Sequence, residues 1–88
     1  MLSEPTLYCR VCGLEQAEPQ YGKDGVSPTF DICPCCGVEF GYQDTIRDAV
    51  LKFRDEWLAS GAKWAEPKKQ PTNWDLPKQL SQVPEQFK

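Results

Sequence analysis

The chain has no histidine, so the side chain whose charge ordinarily changes near neutral pH is missing. It also has no glycine-rich phosphate loop and no nucleophile beside a recognisable base, which leaves it poorly equipped as an enzyme. Long apolar runs are lacking too. Nothing reads as a secretory signal or a membrane span, and Met1-Leu2-Ser3-Glu4-Pro5 is expected to begin the mature protein in the cytoplasm. Basic residues are the minority charge, 10 Lys and Arg against 13 Asp and Glu, for a net charge of -3 and a pI near 4.8. That balance argues against a chain built around a phosphate backbone and favours a basic or weakly polar partner. Length is short as well. Eighty-eight residues make one domain, 1–88, which buries roughly 60–65% of its unfolded surface and needs a staple.

Cysteine is what the chain has in excess. Five of them in a reducing compartment are metal ligands more often than disulfides, and an odd number cannot pair completely. Cys9-Arg10-Val11-Cys12-Gly13 and Cys33-Pro34-Cys35-Cys36-Gly37 align as two copies of C-x-x-C-G, with 20 residues between Cys12 and Cys33. This is the two-pair spacing of zinc sites. A tight turn lets two thiolates three positions apart point at one ion, and the glycine after them takes a backbone angle that other residues resist. The expected metal ligands are therefore Cys9, Cys12, Cys33 and Cys36, with Cys35 a buried bystander thiol. Four thiolates leave no open position for water or substrate, so the expected cofactor is one structural zinc ion. Iron is the alternative occupant. The stretch Gly25 to Gly37 has a rubredoxin-like look in its G-V-x-P and C-P-x-C-G elements, but the loop is short and the rest of that pattern is missing.

Three regions differ in composition. Residues 7–43 hold every cysteine, every tyrosine and five of the six glycines, as expected of a zinc ribbon whose two knuckles sit on short β-hairpins. Residues 44–60 predict a helix of about four turns. Ile46, Val50, Phe53 and Trp57 form its apolar stripe, widened by Leu51 and Leu58, while Arg47, Asp48, Lys52, Arg54, Asp55 and Glu56 fill the other face. Asp44 or Thr45 suits the N-cap, and Gly61 suits the left-handed residue that closes the last turn. Prolines 67, 71, 77 and 84 keep residues 62–88 extended, with a short helical turn after Pro77 and a last few residues that fray. Trp64 and Trp74 should pack this tail over the small core. The expected fold class is thus α+β: a small zinc ribbon, one amphipathic helix and a Pro/Trp-rich C-terminal segment.

The runs Cys9 to Gly13, Phe30 to Tyr42 (FDICPCCGVEFGY), Phe53 to Trp64 (FRDEWLASGAKW) and Asn73 to Leu80 (NWDLPKQL) together resemble a family of small bacterial cysteine-rich proteins related to the CPCC type of zinc-ribbon domain. The resemblance spans most of residues 9–80. It implies no established reaction, but some cysteine-rich relatives look like immunity proteins that neutralise toxins. The expected function is therefore a non-enzymatic, metal-stabilised protein-interaction module, an immunity or inhibitor protein for a basic toxin such as a nuclease, working as a monomer or weak dimer. Phe40, Tyr42 and Trp74 are candidate aromatic anchors. The alternative is a nucleic-acid-binding protein of the transcription or translation machinery, using Arg10, Lys23, Lys52, Arg54, Lys63, Lys68 and Lys69. A third is an iron electron carrier.

Overall fold

The computed structural model describes residues 7–88; the opening Met1–Pro5, expected to begin the mature chain, lies outside them. Both C-x-x-C-G runs fold into the same turn. In the first knuckle the Cys9 N–H donates to the Leu14 carbonyl and the Gly13 N–H to the Cys9 carbonyl, each at 2.9 Å. In the second, Cys33 N–H donates to Val38 O at 2.9 Å and Gly37 N–H to Cys33 O at 3.0 Å. Gly13 and Gly37 share a φ of +83°, a conformation in which a Cβ would crowd the following carbonyl.

One antiparallel bridge flanks each knuckle, Tyr8 with Glu15 and Ile32 with Glu39. There the extended pairing stops. The expected ribbon of β-hairpins, and with it the α+β class, is not what the chain forms: among the described residues there is no sheet, and helices and turns dominate. The reason is local. The first limb runs into the turns that start at Pro19, and the second is entered through Phe30 at a φ of +62° and left through Gly41 at +93°, so neither limb stays extended long enough to add a further rung.

The connection from Pro19 to Pro28 is drawn in by Asp24, whose carboxylate accepts from the Val26 and Ser27 amides and the Ser27 hydroxyl. Ser27 N–H donates to Tyr21 O and Thr29 N–H to Gln20 O, both at 3.0 Å. Helix α1 then covers Arg47–Ala59, starting later than the 44–60 expected. Asp44 is not its cap. That carboxylate is fully buried and already accepts from the Tyr21 hydroxyl at 2.6 Å and the Gly41 amide at 2.8 Å, so the helix begins after Ile46 with no side-chain cap. Its far end closes at Gly61 through Ala62 N–H to Trp57 O and Gly61 N–H to Leu58 O, a paired bond pattern suited to a left-handed glycine.

Val50 and Trp57 are the buried positions of α1, Phe53 is half-buried, and Ile46 is 61% exposed. Arg54 was expected on the solvent face and instead lies between Val50 and Trp57 on the inner one. It stands four residues after the first and three before the second. The tail holds more helix than expected: a 3-10 turn at Pro67–Lys69, helix α2 at Leu76–Leu80 and a second 3-10 turn at Glu85–Phe87. Asp75 caps α2 by accepting from Lys78 N–H at 3.1 Å, and Pro77 sits in its first turn. Trp64 meets Trp74 edge-on at 5.5 Å, and Trp57 meets it at 6.4 Å. The last residues, expected to fray, are hydrogen-bonded to α1. Arg54 holds the Phe87 carbonyl at 2.7 Å and Arg47 the Lys88 carbonyl at 2.6 Å.

Candidate metal centre

The turns aim four thiols at one another. The Sγ atoms of Cys9, Cys12, Cys33 and Cys36 all lie within 4.8 Å of one another, and all four residues are buried. Two contacts cross between the knuckles, Cys9 to Cys36 and Cys12 to Cys33, each at 3.7 Å. All the cysteines are free thiols. A four-thiolate tetrahedron with metal–sulfur bonds of about 2.3 Å has edges of about 3.8 Å, so the crossing contacts match the spacing such an ion requires. The four cysteines could hold a metal ion. Cys35 is fully buried but stands outside this group.

As a bare thiol cluster the four could not all ionise. The hydrogen bond between Cys12 and Cys33 pushes Cys12 far above the ordinary thiol range and holds Cys33 far below it, and burial pushes Cys36 up. A cation at the centre removes this conflict, because it stabilises every thiolate at once.

Around the sulfurs lies a shell of donors (Gln16, Arg54, Gln79) that the sequence pattern did not announce. Gln16 Nε2 donates to Cys33 Sγ at 3.7 Å and to Leu14 O at 3.1 Å. Gln79, on α2 and 7% exposed, donates through Nε2 to Cys12 O at 3.2 Å and to Cys35 Sγ at 3.3 Å, while its Oε1 accepts from Trp74 Nε1 at 2.7 Å. Arg54 Nε donates to Val11 O at 2.6 Å and Nη2 to Arg10 O at 2.8 Å. Burial pulls the Arg54 pKa down while the neighbouring Cys9, Asp55 and Cys12 oppose that pull, and an arginine stays charged through such a shift. Its charge would offset part of the two surplus negative charges that four thiolates around a divalent ion would carry.

Glutamines and a polar-face arginine carry no motif, so no sequence signal singles them out. Of the candidate anchors, Phe40 is 1% exposed and belongs to the core, Trp74 is partly buried against it, and Tyr42 is 70% exposed. Of the basic residues considered for nucleic acid, Arg10 and Arg54 are committed inward. Arg10 lies over the rings of Tyr21 at 3.7 Å and Phe87 at 4.5 Å and donates to Asp44 O at 3.0 Å.

Two proteins of Bacillus subtilis (strain 168), both described as uncharacterised, are similar to this chain. YoaQ is 35% identical across 82% of this chain and 69% of its own length, and YozI is 33% identical across 86% and 72%. No family model matches the chain. No solved structure matches it either. Among the described residues, no helix is long and apolar enough to cross a membrane.

Proposed function

The chain belongs to the family of these two Bacillus proteins, and from that premise we propose that it is a non-enzymatic protein-interaction module stapled by one structural zinc ion. The observation that carries this reading is the closed set of four buried thiols. Such a set leaves no position for substrate on the ion, and its four residues belong to the buried core. Zinc fits the role best because it has no redox chemistry and no geometric demand beyond the tetrahedron; iron is the other ion a four-sulfur site takes. The paired C-x-x-C-G runs and the CPCC stretch support placing this family among CPCC-type cysteine-rich proteins. Five free thiols support a reducing compartment such as the cytoplasm.

A partner of basic character follows from the net charge of -3, and a protein inhibited by this chain, such as a basic nuclease toxin, is the specific form of the proposal. The inward commitment of Arg10 and Arg54 supports a protein partner over nucleic acid, since it removes two of the cations a phosphate backbone would need.

Native mass spectrometry and chelator titration test the staple. One zinc per chain is expected, retained in Cys35→Ser and lost in Cys36→Ser, with chelation unfolding the chain because structural zinc supplies roughly 10–16 kcal/mol against a net stability of about 5–15. An ion-free chain that stays compact, or a red iron-loaded one, overturns the reading.

A further inference from the structure

The paired cysteine turns set two limbs of chain side by side, and between them lies a groove of about 450 Å³. One wall is Glu15 to Glu18, leaving the first knuckle; the other is Thr29 to Pro34, entering the second. Four carboxylates line it, Glu15, Glu18, Asp31 and Glu66, with one cation, Lys69. Four negative charges less one positive leave -3, which equals the net charge of the whole chain. The remaining charges of the molecule therefore cancel. The Lys69 pair is with Glu66 at 3.6 Å, and both partners are more than half exposed, so water screens it. Among the described residues no ion pair engages Glu15, Glu18 or Asp31.

Acidic residues alone would be an ordinary solvated face. The second observation is Gln20, which lines the same groove and is only 2% exposed. Its Nε2 is spent on the Tyr8 carbonyl at 2.7 Å, and its buried Oε1 has no hydrogen-bond partner. A buried acceptor without a donor costs about 1–3 kcal/mol, so such positions call for a group that supplies one. Beside it, Ile32 and Pro34 offer apolar surface.

We propose that this groove is the partner-binding face and that it receives an arginine side chain from an extended basic segment of a protein. A guanidinium has five donors in a fixed plane, enough to serve a carboxylate and, once the Gln20 side chain turns toward the groove, its buried amide oxygen together, whereas an ammonium acts as a point charge. The aliphatic stem lies on Ile32 and Pro34. This rests on the interaction-module reading and specifies where that module binds. Because one wall leaves a cysteine turn and the other enters one, and Gln16 links one wall to Cys33 Sγ, the groove should exist only while a metal is held.

The test is an NMR titration of the zinc-loaded full chain with a capped Gly-Arg-Gly-Arg-Gly peptide and with its Lys and Gln counterparts. The Arg peptide should shift the Gln20 side-chain amide and the backbone signals of Glu15, Asp31 and Ile32, and should bind more tightly than the Lys peptide. The exposed triple variant E15Q/E18Q/D31N, which leaves the core untouched, should weaken binding about tenfold or more. Equal binding by the triple variant, equal binding of the Gln peptide, or shifts elsewhere overturn the proposal. So does preferential binding of a short RNA. A zinc-loaded chain that ignores the Arg peptide removes the groove and leaves the metal-stapled module standing; a chain that folds without metal removes the module itself.

Discussion

The two cysteine knuckles have the same turn, the same glycine angle and one bridge each, yet the rest of the protein clasps them differently. The first is held by side chains: Arg54 takes the carbonyls of Arg10 and Val11, and Gln79 takes that of Cys12. The carbonyls of the second are held by backbone, with Ala65 N–H donating to Cys35 O and Glu66 N–H to Pro34 O, both at 2.9 Å, and side chains (Gln16 and Gln79) reach only its sulfurs. Equal local geometry thus conceals unequal dependence on sequence. A knuckle bound by side chains can be released by single substitutions elsewhere, while one bound by amides tolerates nearly any side chain at the donor positions.

The glycines break the comparison hardest. A Cβ on Gly13 would lie 2.0 Å from the Gln79 carbonyl oxygen, whereas one on Gly37 would meet only the Ala65 Cβ at 3.5 Å. Both substitutions share the left-handed penalty of about 1–2 kcal/mol, but Gly13→Ala must also push α2 off the first knuckle. Chemical denaturation of the zinc-loaded protein should show a loss of about 3–5 kcal/mol for Gly13→Ala and about 1–2 for Gly37→Ala. Equal losses would mean that α2 does not press on the first knuckle.

Arg54→Ala is next in size. It strips donors from Arg10, Val11 and Phe87 at once and should cost about 2–3 kcal/mol. Arg54→Lys should restore little of this, since a single ammonium cannot span carbonyls reached through two different nitrogens. Hydrogen exchange sharpens the contrast: both variants should speed exchange in the first knuckle and leave the amides of Ala65 and Glu66 protected.

The smallest effect concerns Tyr21, which ties the loop to Asp44. Burial, and after it the Asp44 carboxylate, raise the phenol pKa to about 12 from 10.0. The folded state therefore favours the protonated phenol. Its contribution is complete below pH 10 and is lost as the pH rises through 12, because the unfolded chain gives up that proton first. Wild-type stability should fall across this window more than that of Tyr21→Phe, the difference being read by thermal melts at matched pH. Parallel curves would detach Tyr21 from the fold's alkaline limit.

The site was more legible than the fold. Cysteines three apart followed by glycine speak through local chemistry, so Cys9, Cys12, Cys33 and Cys36 could be named from spacing. The hairpins inferred around them could not be, because a turn locked by sulfur needs no sheet, and Phe30 adopts a positive φ that nothing in a phenylalanine announces. Asp44 read as a helix cap by position, but Tyr21 and Gly41 claim its carboxylate first. Arg54 read as solvent-facing by polarity. Its burial is reasonable only against a surface of peptide carbonyls, and the apolar stripe of α1 carries no record of what it faces.

By itself, then, the sequence determined the two turns, the four sulfurs they present and the acidic balance of the whole, since each depends on neighbours a few positions apart or on composition. Tertiary structure alone decided which residues clasp each knuckle and where the negative charge gathers. Those contacts join positions 43 residues apart for Arg54 and Val11 and 67 apart for Gln79 and Cys12, and no local preference encodes a meeting at that range.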